Sequence, residues 1–253
     1  MTTKLTIHAL PAGVLRNFPT AAAQYQRGFG QFHDLPMIMF VITGGDHPIV
    51  VDSGTPEPEF VRRYMGGNFD RTDDEDPVST LKTVGVDPED VQTVIHTHLH
   101  WDHCGNNHLF PNAKFVVQKT ELLYAVDPVG PNRGSYQNND RICPPWAPLL
   151  NRFTTVKGDV EIAAGVEVVA LPGHTPGSQG VLVTTGGERY LLAGDTCDSM
   201  KNWEGDERAA HIPSGSFTNL LDYMDTFDKM ERLSAQVIPS HDPELLATGE
   251  FGR

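Results

Sequence analysis

Four side chains able to bind a metal ion crowd into Thr97-His98-Leu99-His100-Trp101-Asp102-His103, directly after the apolar run Val91 to His96. Imidazole nitrogen and carboxylate oxygen together suit zinc and the neighbouring divalent transition metals. On extended backbone His98 and His100 alternate onto one face, whereas Asp102 and His103, on a turn into the next element, can point at an adjacent position. That pattern suggests two metals, one for each pair. Neither pair closes a coordination sphere, so more ligands must come from elsewhere. His174 lies in Leu171-Pro172-Gly173-His174-Thr175-Pro176-Gly177, Asp195 ends Leu191-Leu192-Ala193-Gly194-Asp195, and His241 follows Val237-Ile238-Pro239-Ser240. Each stands at the end of an apolar run, and the two oxygens of Asp195 could bridge two cations. A lone histidine is more often a satisfied core or surface residue; five histidines and two aspartates, all at such ends, are poorly explained that way. A paired-metal site lowers the pKa of a bound water to roughly 7, so the chemistry it supports is hydrolysis.

These residues need strands to present them. Short apolar, β-rich runs are predicted as buried strands at Met37 to Ile42, Pro48 to Val51, Val91 to His96, Lys114 to Val117, Val166 to Leu171, Gly180 to Thr184 and Tyr190 to Ala193. Helices are expected over Pro56 to Met65 and from Asp76-Pro77, where Asp suits the N-cap and Pro the first helical position. The clearest helix runs from Phe217 to Leu233. Its Phe217, Leu220, Leu221, Met224, Phe227, Met230 and Leu233 form one apolar face for packing on a sheet. Strands and helices in this order predict a layered α/β protein, strand-rich before about residue 120 and again after about 150, without sequence repeats. Two stretches break the pattern. Asp70 to Asp76 is acidic and reads as a solvated loop, lacking the Gly and terminal Glu of a calcium loop. Residues 124–148 carry five prolines and cannot form one long element; such a loop suits a lid, a binding loop or a contact surface.

Composition narrows the function classes. The 253 residues carry 19 Lys+Arg against 33 Asp+Glu, a net charge of −14, which disfavours nucleic acid as a partner. No run approaches the roughly 20 apolar residues of a membrane span, and the opening residues lack a cleavable leader pattern. A cytoplasmic chain beginning at Met1 and folding as a single domain over 1–253 is the expectation. Cys104, Cys143 and Cys197 are odd in number and form no CxxC pair, which argues against a disulfide framework and a thiolate cluster; Cys104 and Cys197 read as small apolar fillers.

The segments HTHLHWDH, LPGHTPG, LLAGD and IPSHD, in this order and spanning essentially the whole chain, resemble the metallo-β-lactamase superfamily. The resemblance implies a four-layer αββα sandwich with a dinuclear metal site at the sheet edges. It further implies that His98, His100 and His174 hold one metal, that Asp102, His103 and His241 hold the other, and that Asp195 bridges them. Zinc is the expected ion, two per chain, with iron, manganese or cobalt compatible with the same ligands. Asp52, in Val50-Val51-Asp52-Ser53-Gly54, is similar to the family's early Asp and stands where it could orient a ligand or cap a turn.

Within the superfamily the chain most resembles the N-acyl-homoserine lactone lactonase and 4-pyridoxolactonase group, for which His211-Ile212-Pro213-Ser214-Gly215 and Ser240-His241-Asp242 are the further matching segments. His241 stands 12 residues from the end of the sequence, leaving no room for the helical domain of glyoxalase II, and the acidic charge disfavours the ribonuclease Z type. The implied activity is opening of a lactone ring by a metal-bridging hydroxide, with Asp102 carrying a proton to the departing alkoxide. The implied partner is a small-molecule substrate, and the chain is expected as a monomer or homodimer. In the lactonases a tyrosine follows the bridging Asp by three residues; here that position is Asp198, so the oxyanion donor must be a metal or another group such as His211 or Tyr223. Phe32, Met37, Trp101 and His211 are the candidate substrate contacts. The alternatives are a mononuclear iron dioxygenase of the persulfide type, which does not require His241, and a hydrolase of another cyclic ester or amide. A binding protein that kept the fold and lost the chemistry is disfavoured by the complete ligand set.

Overall fold

The computed structural model describes residues 4–137 and 141–252; Met1 and residues 138–140 of the Pro-rich stretch lie outside the described residues. Thirteen strands are described: β1 (Thr6–Pro19), β2 (Phe32–Thr43), β3 (Ile49–Val51), β4 (Phe69–Asp70), β5 (Thr93–Ile95), β6 (Lys114–Gln118), β7 (Phe153–Val156), β8 (Val160–Ala163), β9 (Val166–Ala170), β10 (Gln179–Thr185), β11 (Glu188–Leu192), β12 (Gln236–Ile238) and β13 (Glu250–Phe251). They form two sheets. One has the order β13-β1-β2-β3-β5-β6-β7 with β4 attached to β1, and the other the order β12-β11-β10-β9-β8.

Strand alternation decides what each face buries. Along β2, Ile38, Phe40 and Ile42 join Val51, Val168, Val181 and Leu192 in a core between the two sheets. Met37, Met39 and Val41 point the other way, into a cluster with Val61, Leu81, Val86 and Phe110. On the outside of the second sheet, Val169, Leu182 and Leu191 pack against Tyr223, Phe227 and Met230 of the helix Leu220–Leu233. A strand buried on both faces reads as an unbroken apolar run, as β2 does. The layers are helix, sheet, sheet, helix, the expected αββα sandwich. Met37 is thereby corrected: expected at the pocket, it is buried on the helix-facing side of β2.

Three other readings change. β1 was not expected, because Pro11 and Gly13 spoil its pattern; the strand survives because its register with β2 shifts between Pro11 and Val14, where an irregularity tolerates them. The helix expected from Phe217 starts at Leu220, with Asn219 accepting hydrogen bonds from the Leu221 and Asp222 amides, so Phe217 precedes it. Its buried stripe is Tyr223, Thr226, Phe227 and Met230, while Leu221 is 77% and Met224 41% exposed. The helix is rotated from the expected face because Tyr223 and Thr226 give their hydroxyls to buried carbonyls of the sheet-end loops. Within Asp70 to Asp76, Asp70 belongs to β4 and Asp73–Glu75 form a short 3-10 turn. As expected, Asp76 caps the helix Pro77–Thr83, accepting from the Val78 and Ser79 amides. Among the described residues no helix is long and apolar enough to cross a membrane.

The same topology gathers the loops of interest. β3 and β5 run parallel, as do β11 and β12. β9 is antiparallel to β10, which is antiparallel to β11, so β9 and β11 share a direction. The loops leaving β9, β11 and β12 therefore emerge at one edge of their sheet, and those leaving β3 and β5 at one edge of the other.

Candidate metal centre

Each of the seven expected ligands sits just beyond one of these strands. His98, His100, Asp102 and His103 follow β5, His174 follows β9, Asp195 follows β11 and His241 follows β12. The structure draws them into two groups whose potential ligand atoms lie within 4.8 Å of one another: His98, His100, His174 and Asp195, and Asp102, His103 and His241. Asp195 lies between them. Its Oδ2 is 3.8 Å from His98 Nε2 and 3.5 Å from His174 Nε2, while its Oδ1 is 3.1 Å from His103 Nε2 and 3.2 Å from His241 Nε2.

The far ring nitrogens are tied back. His103 Nδ1 lies 2.8 Å from Asp52 Oδ2, His174 Nδ1 2.7 Å from the Ser216 carbonyl, and His241 Nδ1 2.9 Å from the Pro36 carbonyl. An Nδ1–H donated to these oxygens leaves Nε2 as the free lone pair facing the cluster, the usual way a protein orients a metal-binding imidazole. Asp52 also accepts from the Thr97 amide and hydroxyl, both at 2.8 Å, and holds φ at +59°, a left-handed conformation unusual for a non-glycine residue. Asp52 thus buttresses His103 directly. Ser240 Oγ donates to Asp195 Oδ1 at 2.8 Å, and Tyr223 Oη donates to the Asp195 carbonyl at 2.7 Å.

Whether a metal fits can be judged from the side chains. The Nε2 of His98 is buried without a hydrogen-bond partner, and His100 Nδ1 stands 3.1 Å from His174 Nε2, so buried imidazole nitrogens converge in a costly way unless a cation takes up their lone pairs. Burial, reinforced by neighbouring imidazoles, holds the pKa of the His98 and His100 rings well below the ordinary value, which keeps them neutral and ready to ligate. The donor set of imidazole and carboxylate matches zinc and its neighbours.

The second group behaves oppositely in the metal-free chain. Burial pushes His241 down, but Asp195 outweighs it and raises the pKa to about 9. His103, against Asp195, Asp52 and Asp102, is likewise raised well above its ordinary value despite burial. A raised folded pKa stabilises the chain fully below the unfolded value near 6.5, and the contribution, up to about 3 kcal/mol for His241, is lost as pH climbs through about 9. The thermal midpoint of the metal-free protein should therefore fall between pH 7 and 9.5, while metal binding, which needs neutral rings, strengthens over the same interval. Thermal melts with and without metal at constant ionic strength measure both; a midpoint that stays flat across this range would contradict the assignment.

A cavity of about 290 Å³ opens onto the cluster, bordered by Trp101, Asp102, Ser135, Asp198 and Ser214 among others. A second, of about 560 Å³, adjoins His241 and Asp198 and is bordered by Phe32, His33 and Lys201. Phe32 stands at its rim, 62% exposed, and Trp101 is partly buried at the first cavity. Asp198 is buried between the two cavities, within ligand distance of Asp195 and His241; burial, and then the Asp195 charge, push its carboxyl well above the usual range.

Two expected site residues are elsewhere. His211 stacks on Trp203 and Phe227, with ring centroids 4.3 and 4.8 Å apart, and pairs with the Trp203 carbonyl and Glu231; it borders neither cavity. Tyr223 is fully buried, and its hydroxyl is spent on the backbone of Asp195 and Thr196, which removes it as an oxyanion donor. The buried Cys104 and Cys197 thiols have pKa values pushed far up by burial and remain protonated, outside the ligand groups. Sequence reasoning missed Glu121, a fully buried carboxylate behind His98 and His100. A lone glutamate in a helical turn carries no signal; only the burial of its surroundings does.

The family model described as "Metallo-beta-lactamase superfamily" matches residues 39–241. An N-acyl homoserine lactonase from a Bacillus species is 31% identical over 201 residues, covering 76% of this chain and 74% of that protein. The N-acyl homoserine lactonase AttM of Rhizobium radiobacter is 30% identical over 262 residues, covering 97% and 96%. Among solved structures, an N-acyl homoserine lactone hydrolase with the product N-hexanoyl-L-homoserine at its catalytic metal centre is similar with a TM-score of 0.76 at 23% identity, covering 98% of this chain and 97% of that one. AidC, a dizinc quorum-quenching lactonase, is similar with a TM-score of 0.73 at 17% identity, covering 96% and 89%.

Proposed function

The chain belongs to the metallo-β-lactamase superfamily, and from that premise we propose that it is a metal-dependent hydrolase that opens small lactones, N-acyl-homoserine lactones or close relatives, at a two-metal centre. The observation that carries this reading is the carboxylate of Asp195, with one oxygen directed to each histidine group. The names of the relatives support the substrate class. His98, His100 and His174 would hold one ion, Asp102, His103 and His241 the other, and Asp195 both. Two zinc ions, or other divalent transition metals, would supply the Lewis acidity that makes water nucleophilic near pH 7 and polarises an ester carbonyl.

The chain's own residues do the rest. Trp101 and Ser135 border the cavity over the ligands and limit how a ring can enter it. Phe32 stands at the rim of the adjoining cavity, where a substituent on the lactone would lie. Asp102, partly exposed on the cavity wall, would take the proton given up by the attacking water and pass it to the departing alkoxide oxygen. The reading includes a cytoplasmic chain acting as one hydrolase domain over residues 1–253.

The test pairs elemental analysis of the purified protein with acid release at constant pH over acyl-homoserine lactones of several lengths, γ-butyrolactone and aromatic lactones. Two ions per chain with acid release is the expected result and ranks the substrates. One iron and no acid release would overturn it in favour of a sulfur dioxygenase.

A further inference from the structure

Glu121 is a carboxylate with no exposed surface and a full set of donors. Its Oε1 accepts from the Leu99 amide and the Tyr136 hydroxyl, each at 2.9 Å, and its Oε2 accepts from Thr175 Oγ1 at 2.5 Å. The Gly177 amide adds a further hydrogen bond. It sits in the first turn of the helix Lys119–Val126, where the positive end of the helix favours a negative charge. What these donors belong to is the informative part. Leu99 lies between His98 and His100, Thr175 follows His174, and the Tyr136 ring packs edge-on against His100 with centroids 4.7 Å apart. One buried carboxylate therefore ties together both loops that carry the first histidine group. It touches neither His103 nor His241, whose supports are Asp52 and the Pro36 carbonyl.

We infer that Glu121 is the positioning residue for the His98, His100 and His174 group, fixing the separation of its two loops, while Asp52 holds His103 directly and reaches His98 only through the Thr97 hydroxyl. The inference rests on the two-metal reading only in expecting a second ion as an internal reference. A carboxylate that merely stabilised the fold would lower the thermal midpoint and leave the relative hold on two ions unchanged. A positioning residue alters one ion selectively, and loss of such an outer partner costs roughly ten- to a hundredfold in metal affinity.

Glu121→Gln keeps the size but removes the charge and one of the two acceptor oxygens shared by the Leu99 and Gly177 amides, which can only donate, and the Tyr136 and Thr175 hydroxyls. The metal-loaded wild type and variant are dialysed against a graded series of chelator, and metal per chain and thermal midpoint are read at each step. The variant is expected to release one ion at about tenfold lower chelator strength while holding the other as the wild type does, and cobalt(II) absorption of the half-loaded protein identifies the ion retained. Retention of both ions at wild-type strength, or parallel loss of both, would overturn the inference. Should Glu121→Gln not fold, Thr175→Val and Tyr136→Phe each remove one donor and should show the same one-sided release; unchanged release in both would overturn it equally. If the wild type holds a single ion, the two-metal reading fails. The inference is then decided by that ion and the thermal midpoint together: weaker hold in Glu121→Gln at an unchanged midpoint supports it, and equal hold, or weaker hold that follows a lowered midpoint, rejects it.

Discussion

Asp195→Asn is expected to lower lactone turnover about a thousandfold, the scale of losing a main electrostatic element of an active site, and to leave the purified chain with fewer than two metal ions. The carboxylate faces the first histidine group with Oδ2 and the second with Oδ1. An amide offers one oxygen and one donor, so it can serve only one group, and its N–H₂ would face imidazole nitrogens whose lone pairs are needed for the metal. The change also removes the negative charge that offsets two cations in a buried place. Because Ser240 Oγ and the Tyr223 hydroxyl hold the residue from outside the cluster, the variant should fold. Turnover on the best lactone of the panel and metal per chain are the measurements. A variant with normal turnover and two ions would remove Asp195 from its bridging role.

The second large effect is expected at a residue with no functional group. A Cβ on Gly177 would lie 2.1 Å from the Glu121 amide nitrogen and 2.5 Å from its Cα. Both are backbone atoms of a helix that cannot swing aside, so Gly177→Ala must push the His174 loop off the helix. Overpacking on rigid backbone, with disruption of the bonds to Glu121, should cost about 3 to 5 kcal/mol of stability. A displaced His174 should in addition lower turnover about a hundredfold in whatever fraction remains folded. Gly134→Ala is the matched control, since nothing lies within 4 Å of its added Cβ, and its stability should stay within about 0.5 kcal/mol of the parent. Chemical denaturation of the three proteins decides the matter; equal midpoints for Gly177→Ala and parent would refute the packing argument.

Much of this architecture could be read from the chain. The apolar runs ending at Val51, Ile95, Ala170, Leu192 and Ile238 mark strands, and the polar residues just past them are the ones the fold gathers. The Asp76-Pro77 pair marks a helix start because cap and first-turn chemistry are local. What stayed hidden depends on partners distant in sequence. Alternation shows that Met37 and Ile38 face opposite ways but not which sheet face meets the cavity. The helix Leu220–Leu233 has more apolar positions than one face can bury, and the choice among them is made by carbonyls of Pro172 and Asp195. Glu121 was invisible because a buried carboxylate is explained only by its four donors. His211, in a segment matching the family, turned out to be held by Trp203, Phe227 and Glu231.

The spacing of the ligand residues has a consequence for how the protein is recovered after unfolding. His98, His100, Asp102 and His103 are close enough to seize an ion on an unfolded chain, whereas His174, Asp195 and His241 reach it only after both sheets have docked. Binding to the unfolded state opposes folding by mass action, and long-range pairings such as β1 with β13 are slow to form in any case. Metal present from the start of refolding thus occupies the early cluster in the wrong company, and metal supplied after the sheets have closed meets a finished site. Refolding with metal added first should therefore return less folded, metal-loaded chain than refolding with the same amount added last.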